Sequence, residues 1–395
     1  MERKTLLVES LKLRPELIKM RRHIHAYPEL GFQEVKTAKL ISNTLKKLGL
    51  AIQEKVAKTG VVGLLRGNQK GKTVAIRADM DALPIQEQNR KKYRSKIPGL
   101  MHACGHDGKM AIALGVASLL SRIRNELKGN VKFIFQPDEE GSGGARAMIA
   151  EGVLQNPKVN CMFCVDLDPL LNTGKIGMRD GVTTANIDGF EISVIGKGGH
   201  GARLDRAIDV VMVTARVIEA LHYIIPRQQH PCIPVAISIG EIHGGTASNV
   251  VPVRVTLKGT IRTFDNETRR NVLTKIKSTV ACICRTYRAQ YQIQHISSYP
   301  ALKNDTELND IIANIGAQLL GPKNVYSYKY PFLEGDDVSF FFQQVPGVLF
   351  SIGVGNRKKG IVYPFHSPLF DIDEDALPIG VAVLTGCVLK YLNSN

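Results

Sequence analysis

Two apolar, strand-like runs of this chain each end in carboxylates, and a helix-like run lies between them. Lys72 to Ile76 leads into Arg77-Ala78-Asp79-Met80-Asp81, and Val131 to Phe135 leads into Gln136-Pro137-Asp138-Glu139-Glu140-Gly141. Met110 to Leu127 is small and apolar throughout, which suits a buried helix. Strands alternating with helices predict an α/β core whose central sheet is mostly parallel and flanked by helices. Ligands of such sheets bind at the carboxyl ends of the strands. Acidic residues stand at just those ends.

Between the first strand and the helix lies Met101-His102-Ala103-Cys104-Gly105-His106-Asp107, with a thiol, two imidazoles and a carboxylate in one expected loop. A Cys and a His two apart do not share a helix face, but from a loop both can point at one ion. The segment holds a single Cys and no Cys-x-x-Cys pair of its own, so it is not read as a structural zinc finger. A catalytic metal site with its remaining ligands far away in sequence is the better reading.

Composition narrows the setting. The chain has 395 residues, 44% apolar and 22% charged, as expected of a globular protein of two or more domains. We read no apolar run of membrane-spanning length and no signal-peptide core, since Glu9 and Lys12 interrupt the N-terminal apolar residues. The seven cysteines are irregularly spaced, as in reduced cytoplasmic proteins. The formal charge of +16 would suit nucleic acid, but the basic residues are scattered and no aromatic platform accompanies them. The expectation is no nucleic-acid partner and no membrane partner.

From about Asp188 the pattern changes. Phe190 to Ile195 reads as strand and Asp209 to Leu221 as helix. Val253, Val255, Leu257 and Ile261 alternate with polar residues, Glu267 to Tyr287 is helical, and a last strand lies near Tyr291 to Ile296. This is a compact α+β unit of ferredoxin-like order, expected over 188–303. It interrupts a larger domain of 1–187 and 304–395.

Other residues carry weaker signals. Of the pair Asp79 and Asp81, one carboxylate could orient a metal-bound imidazole. Of Glu139 and Glu140, one could bind an ion while the other takes a proton from water. His366, in the Pro-flanked Tyr363-Pro364-Phe365-His366-Ser367-Pro368, suits a fixed ligand. His200, in a Gly-rich turn, and Asn249 and Arg262 could hold an oxyanion or a carboxylate.

Taken together, these segments resemble one family: the metal-dependent amidohydrolases that include hippurate hydrolase, N-acetyldiaminopimelate deacetylase and the plant auxin-conjugate hydrolases, within the two-metal aminoacylase and zinc carboxypeptidase group. The likeness runs through Arg21-Arg22-His23-Ile24-His25, Pro28-Glu29-Leu30-Gly31, Arg77 to Pro84, His102 to Asp107, Phe135 to Gly141, Gly196 to His200, Asn249-Val250-Val251-Pro252 and Phe365-His366-Ser367. It implies a catalytic domain and a smaller lid, often used for dimerisation, so a homodimer is expected through that lid. It also implies two divalent ions (Zn, Mn, Co or Ni). Cys104, His106, Glu140 and His366 would be ligands, with Cys104 bridging as thiolate. Glu139 would be general base, His200 would stabilise the oxyanion, and Asn249 and Arg262 would contact the substrate.

The chain departs from the family at several places. Asp166 stands where His is usual and is read as a substituted ligand. Lys109 stands where His or a small polar residue is usual, expected near Asp107, pairing with it or repelling the metals. Gly201-Ala202-Arg203-Leu204-Asp205 lacks a Pro, and Gly335-Asp336-Asp337 has Asp for Glu. The expected activity is hydrolysis of an N-acyl amino acid to a carboxylic acid and a free amino acid. The alternatives are a dipeptidase or aminopeptidase, or a catalytically weak relative that binds acyl amino acids.

Overall fold

The computed structural model describes residues 3–228, 230 and 232–394. The chain divides into two compact units: one of residues 1–181, 303–330 and 340–395, the other of residues 182–302 and 331–339.

The first unit is built on an eight-stranded sheet. At its centre four parallel strands run in the order Lys128–Gln136, Gln69–Asp79, Cys161–Asn172, Gly347–Gly355. Their inner residues, including Ile76, Phe133, Phe163 and Phe350, are fully buried on both faces, as helix-covered parallel strands require. Antiparallel strands Gly60–Arg66 and Ala51–Val56 extend one edge, and Ile176–Met178 and Val325–Ser327 extend the other. This is the α/β architecture expected from the sequence. The strand Gln69–Asp79 is longer than the apolar run because Lys128–Gln136 pairs along it up to Asp79 opposite Gln136.

The helix after the Cys-His segment spans His106–Arg122. It therefore begins four residues earlier than the apolar run suggested, and His106 and Asp107 form its first turn rather than part of a loop. The helix is buried almost all round. Gly115 allows close contact with the helix Ala376–Asn393, since a Cβ there would lie 2.6 Å from a Val381 methyl. Against expectation, Ala376–Asn393 is long and apolar enough to cross a membrane by length and composition. Its residues Val381 to Cys387 are buried in the core of this unit, so its apolarity is accounted for by packing.

The second unit has a four-stranded antiparallel sheet in the order Ala236–Gly244, Arg254–Thr263, Asn186–Ile195, Gln290–Tyr299. Helices Val210–Gln228 and Asn266–Thr286 complete a βαββαβ sequence of elements. Phe190, Ile192, Val217, Leu257, Val272 and Val280 share its core. Asp265 caps the second helix by accepting from the Thr268 amide at 2.7 Å. Residues 331–339, which the sequence reading left with the larger domain, belong here. The Phe332 amide donates to the Thr183 carbonyl and ties that segment to the start of the unit.

Candidate metal centre

The centre is assembled where the parallel strands end. Gln69–Asp79 delivers Asp79 and, just past its end, Asp81; Lys128–Gln136 leads to Glu139 and Glu140; Cys161–Asn172 carries Asp166. Gly105 has a φ of +79°, a left-handed conformation that only glycine adopts without strain. That turn lets Cys104, before the helix, and His106, inside it, face the same point. His366 itself has a φ of +62° and is anchored by its amide, which donates to the Ala103 carbonyl at 2.9 Å. A non-glycine residue held there marks a position that the surrounding structure enforces.

Ligand atoms of Cys104, His106 and Glu140 lie within 4.8 Å of one another, and so do those of Asp79, His106 and Glu139. His366 Nε2 is 3.1 Å from Glu140 Oε1. His106 is the shared member. Its Nδ1–H donates to the Asp81 carbonyl at 2.8 Å, so in the neutral ring, the form that binds a metal, the lone pair is on Nε2. That nitrogen is buried and has no hydrogen-bond partner. An orphaned imidazole nitrogen beside a thiol and carboxylates is the donor set of a divalent cation such as zinc. Asp81 Oδ2 also accepts from the Glu140 amide at 2.9 Å. One residue thus holds both groups, but His106 through its backbone carbonyl and only the Glu140 amide through its carboxylate.

The electrostatics point the same way. Burial alone would disfavour the His106 imidazolium, but Asp79 and Asp81 outweigh it and push its pKa up to about 9. Burial pushes the Cys104 thiol well up, and Glu140 and Asp166 push it further. The pocket asks for positive charge, and a thiolate would need a cation beside it.

Asp166 is placed differently from the expectation. Its carboxylate lies 2.8 Å from Lys109 Nζ, which is also 3.1 Å from Asp79 Oδ2. Asp166 belongs to none of the ligand groups found among the described residues. Lys109 likewise does not pair with Asp107. Three residues after His106 on the helix, it points to the strand ends instead.

Asp107 has other partners that the sequence reading did not assign. Arg21, fully buried, donates through Nε to Asp107 at 2.6 Å and through a terminal nitrogen to Asp371 at 2.8 Å. His25 Nδ1 lies 2.8 Å from the same Asp107 oxygen, and its Nε2 is 3.3 Å from Glu87. This network clamps the first turn of the helix that carries His106. The signal was present in the sequence: Arg21 and His25 fall on the same face as Leu17 and Ile24, the buried face of the helix Arg14–Ala26. His102, in the segment with Cys104 and His106, has no role expected from the sequence. It is buried, both ring nitrogens lack hydrogen-bond partners, and burial lowers its pKa to about 4, so it is neutral.

His200, Asn249 and Arg262 all lie in the second unit. His200 pairs with Val250 in a two-stranded ladder, and the Gly201 amide donates to the Asn249 carbonyl at 2.8 Å. His200 Nδ1 accepts from the Ala202 amide at 3.1 Å, so Nε2 carries the proton and is a donor. His200 and Asn249 line a cavity of about 720 Å³. Arg262 sits apart from that cavity, on the strand Arg254–Thr263, where it donates to the Leu333 carbonyl at 3.4 Å.

The sequence pattern of peptidase family M20/M25/M40 fits residues 75–390. The chain belongs to that family. This M20-family chain is 39% identical to thermostable carboxypeptidase 1 of Saccharolobus solfataricus, over 98% of its length and 99% of the relative's. It is 38% identical to N-acetylcysteine deacetylase of Bacillus subtilis, over 92% and 93%. Among solved structures it resembles a dinuclear metal-binding M20 peptidase of Bacillus subtilis, with a TM-score of 0.84, 33% identity and coverage of 97% and 99%. M20 members are hydrolases, and this chain is a metallopeptidase-like hydrolase by family.

Proposed function

We propose that this chain is a metal-dependent amidohydrolase that cleaves an N-acyl amino acid to a carboxylic acid and a free amino acid. The observation that carries the reading is the orphaned Nε2 of His106, 3.9 Å from Glu140 Oε1 and 3.8 Å from Glu139 Oε2, in a residue grouped with Cys104 and Glu140 by ligand atoms within 4.8 Å of one another. Cys104, His106, Glu140 and His366 would hold a divalent ion. Such an ion supplies an acidified water and polarises a carbonyl. Glu139 accepts the proton of the attacking water and returns it to the amide nitrogen, which otherwise leaves as an unstable anion. Asp81 keeps His106 in the tautomer that frees Nε2. In this reading His200 Nε2–H serves the oxyanion, and Asn249 and Arg262 serve the carboxylate end of the substrate. The deacetylase relative supports acyl transfer to water.

A second reading, peptide hydrolysis, is favoured by the carboxypeptidase relative. The assay that separates them uses N-acetyl and N-benzoyl amino acids beside dipeptides, with Zn²⁺ or Mn²⁺ added. Turnover of acyl amino acids that disappears in Glu139→Gln is the expected result. Turnover of dipeptides alone would favour the second reading, and no turnover by folded, metal-loaded protein would remove both.

A further inference from the structure

We infer that this centre takes one divalent ion per chain, because the ammonium of Lys109 occupies the space between Asp79 and Asp166. The inference rests on the metal-dependent reading above and narrows it.

Three observations carry it. First, both groups of ligand atoms in the first unit converge on His106, and one imidazole nitrogen serves one ion. Second, two carboxylates at the strand ends, Asp79 and Asp166, already share a cation. Lys109 Nζ is 3.1 Å from one and 2.8 Å from the other, and Arg77 adds a contact to the same Asp79 oxygen at 2.9 Å. Third, Lys109 cannot easily leave. Its side chain is 4% exposed and rises from the buried face of His106–Arg122, so withdrawing it means moving a helix that the Arg21 network clamps. A divalent ion bound to Asp166 would meet this fixed charge at close range, and the burial of Lys109 itself limits how far solvent screens it.

Lys109 and Asp166 therefore act as a matched pair. Each is the other's reason for being tolerated in the site. Lys109 neutralises part of the carboxylate charge permanently, whereas a bound ion does so only while it is present. The first position, built on Cys104, His106, Glu140 and His366, keeps a full donor set of thiolate, imidazole and carboxylate.

The test is stoichiometry. Purified chain is stripped with a chelator and titrated with Co²⁺. Thiolate-to-cobalt absorption and bound metal after gel filtration are both followed. The inference expects one ion per chain, with the absorption saturating at that point. Lys109→Met removes the ammonium and leaves both carboxylates, so a second ion should bind while the thiolate band stays. Lys109→His is carried in parallel in case the first variant fails to fold, judged by circular dichroism. Two ions in the parent would overturn the inference and leave the metal-dependent reading standing. No ion in folded parent would overturn that reading itself. One ion in both folded variants would show that Lys109 does not exclude the second, and would overturn the inference as stated.

Discussion

Two clusters of buried charge flank the start of the helix His106–Arg122, and they are satisfied to different degrees. Around Arg21, each guanidinium nitrogen faces a carboxylate: Asp107 at 2.6 Å, Asp371 at 2.8 Å, and Glu374 at 3.4 Å. Around His106, carboxylates outnumber fixed cations. Asp79, Asp81, Glu139, Glu140 and Asp166 gather there, with Arg77 and Lys109 as cations beside them, and His106 Nε2 and Asp79 Oδ1 lack hydrogen bonds. The first cluster is closed by its own counter-charges. The second is left short of positive charge and partly open, with Asp166 27% exposed. A buried polar group without a partner costs free energy in the empty fold, so its persistence points to an occupant.

The comparison is broken most sharply by separate changes in each cluster. In the open cluster, Glu139→Gln should lower turnover of an acyl amino acid by about 10²–10⁴-fold or more. The melting temperature should hardly change, and steady-state kinetics beside a thermal melt would show both. In the closed cluster the signs exchange. Arg21→Met leaves Asp107 and Asp371 buried without their cation and should destabilise the fold by about 3–5 kcal/mol in urea titration. If Arg21→Met were neutral in stability, the cluster would not be the structural clamp described above.

Smaller changes sharpen the distinction. Asp81→Asn keeps the backbone carbonyl that receives His106 but weakens the side chain's hold on Glu140. Metal affinity should fall about 10–100-fold with the fold intact, as competition with a chromophoric chelator would measure. Gly105→Ala forces a Cβ into the left-handed region and to 3.3 Å from a Leu167 methyl. It should cost about 1–2 kcal/mol and displace Cys104 relative to His106, visible as a weaker thiolate-to-cobalt band.

Glu34 gives a third kind of buried acid, one held by hydrogen bonds. Its carboxylate accepts from Thr59 Oγ1 and from the Asp138 amide, the latter at 3.0 Å and next to Glu139. Burial pushes its pKa up to about 7, against about 4.3 in an unfolded chain. Between those values the folded state holds a proton that the unfolded state has lost. Its stabilising contribution is full below about pH 4.3 and declines as pH rises through about 7, with a slope of at most about 1.4 kcal/mol per pH unit. Glu34→Gln should remove that slope. Denaturation midpoints at several pH values in parent and variant would reveal it, and parallel curves would contradict the assignment.

The α/β alternation and the acids at strand ends were legible in the sequence, because they depend on local period and residue chemistry, which a linear chain displays directly. The ligand set Cys104, His106, Glu140, Asp166 and His366, with Glu139 as base, was implied by likeness to a family; of that set the structure gathers Cys104, His106 and Glu140 within 4.8 Å of one another and places His366 3.1 Å from Glu140. The helix start at His106 was missed because four residues of mixed polarity hide it, although Gly105 is a recognisable break. The pairing of Lys109 with Asp166 was not legible at all. Both residues stood out singly as departures, but Lys109 was expected beside Asp107, its neighbour in sequence. The same holds for Arg21, whose partners lie 86 and 350 residues away. Sequence alone thus determined which elements form and which side chains can bind an ion. Only the tertiary structure decided which charges neutralise one another. Coulomb attraction in a dry interior acts over a few ångströms, and sheet order and helix packing set which groups come that close.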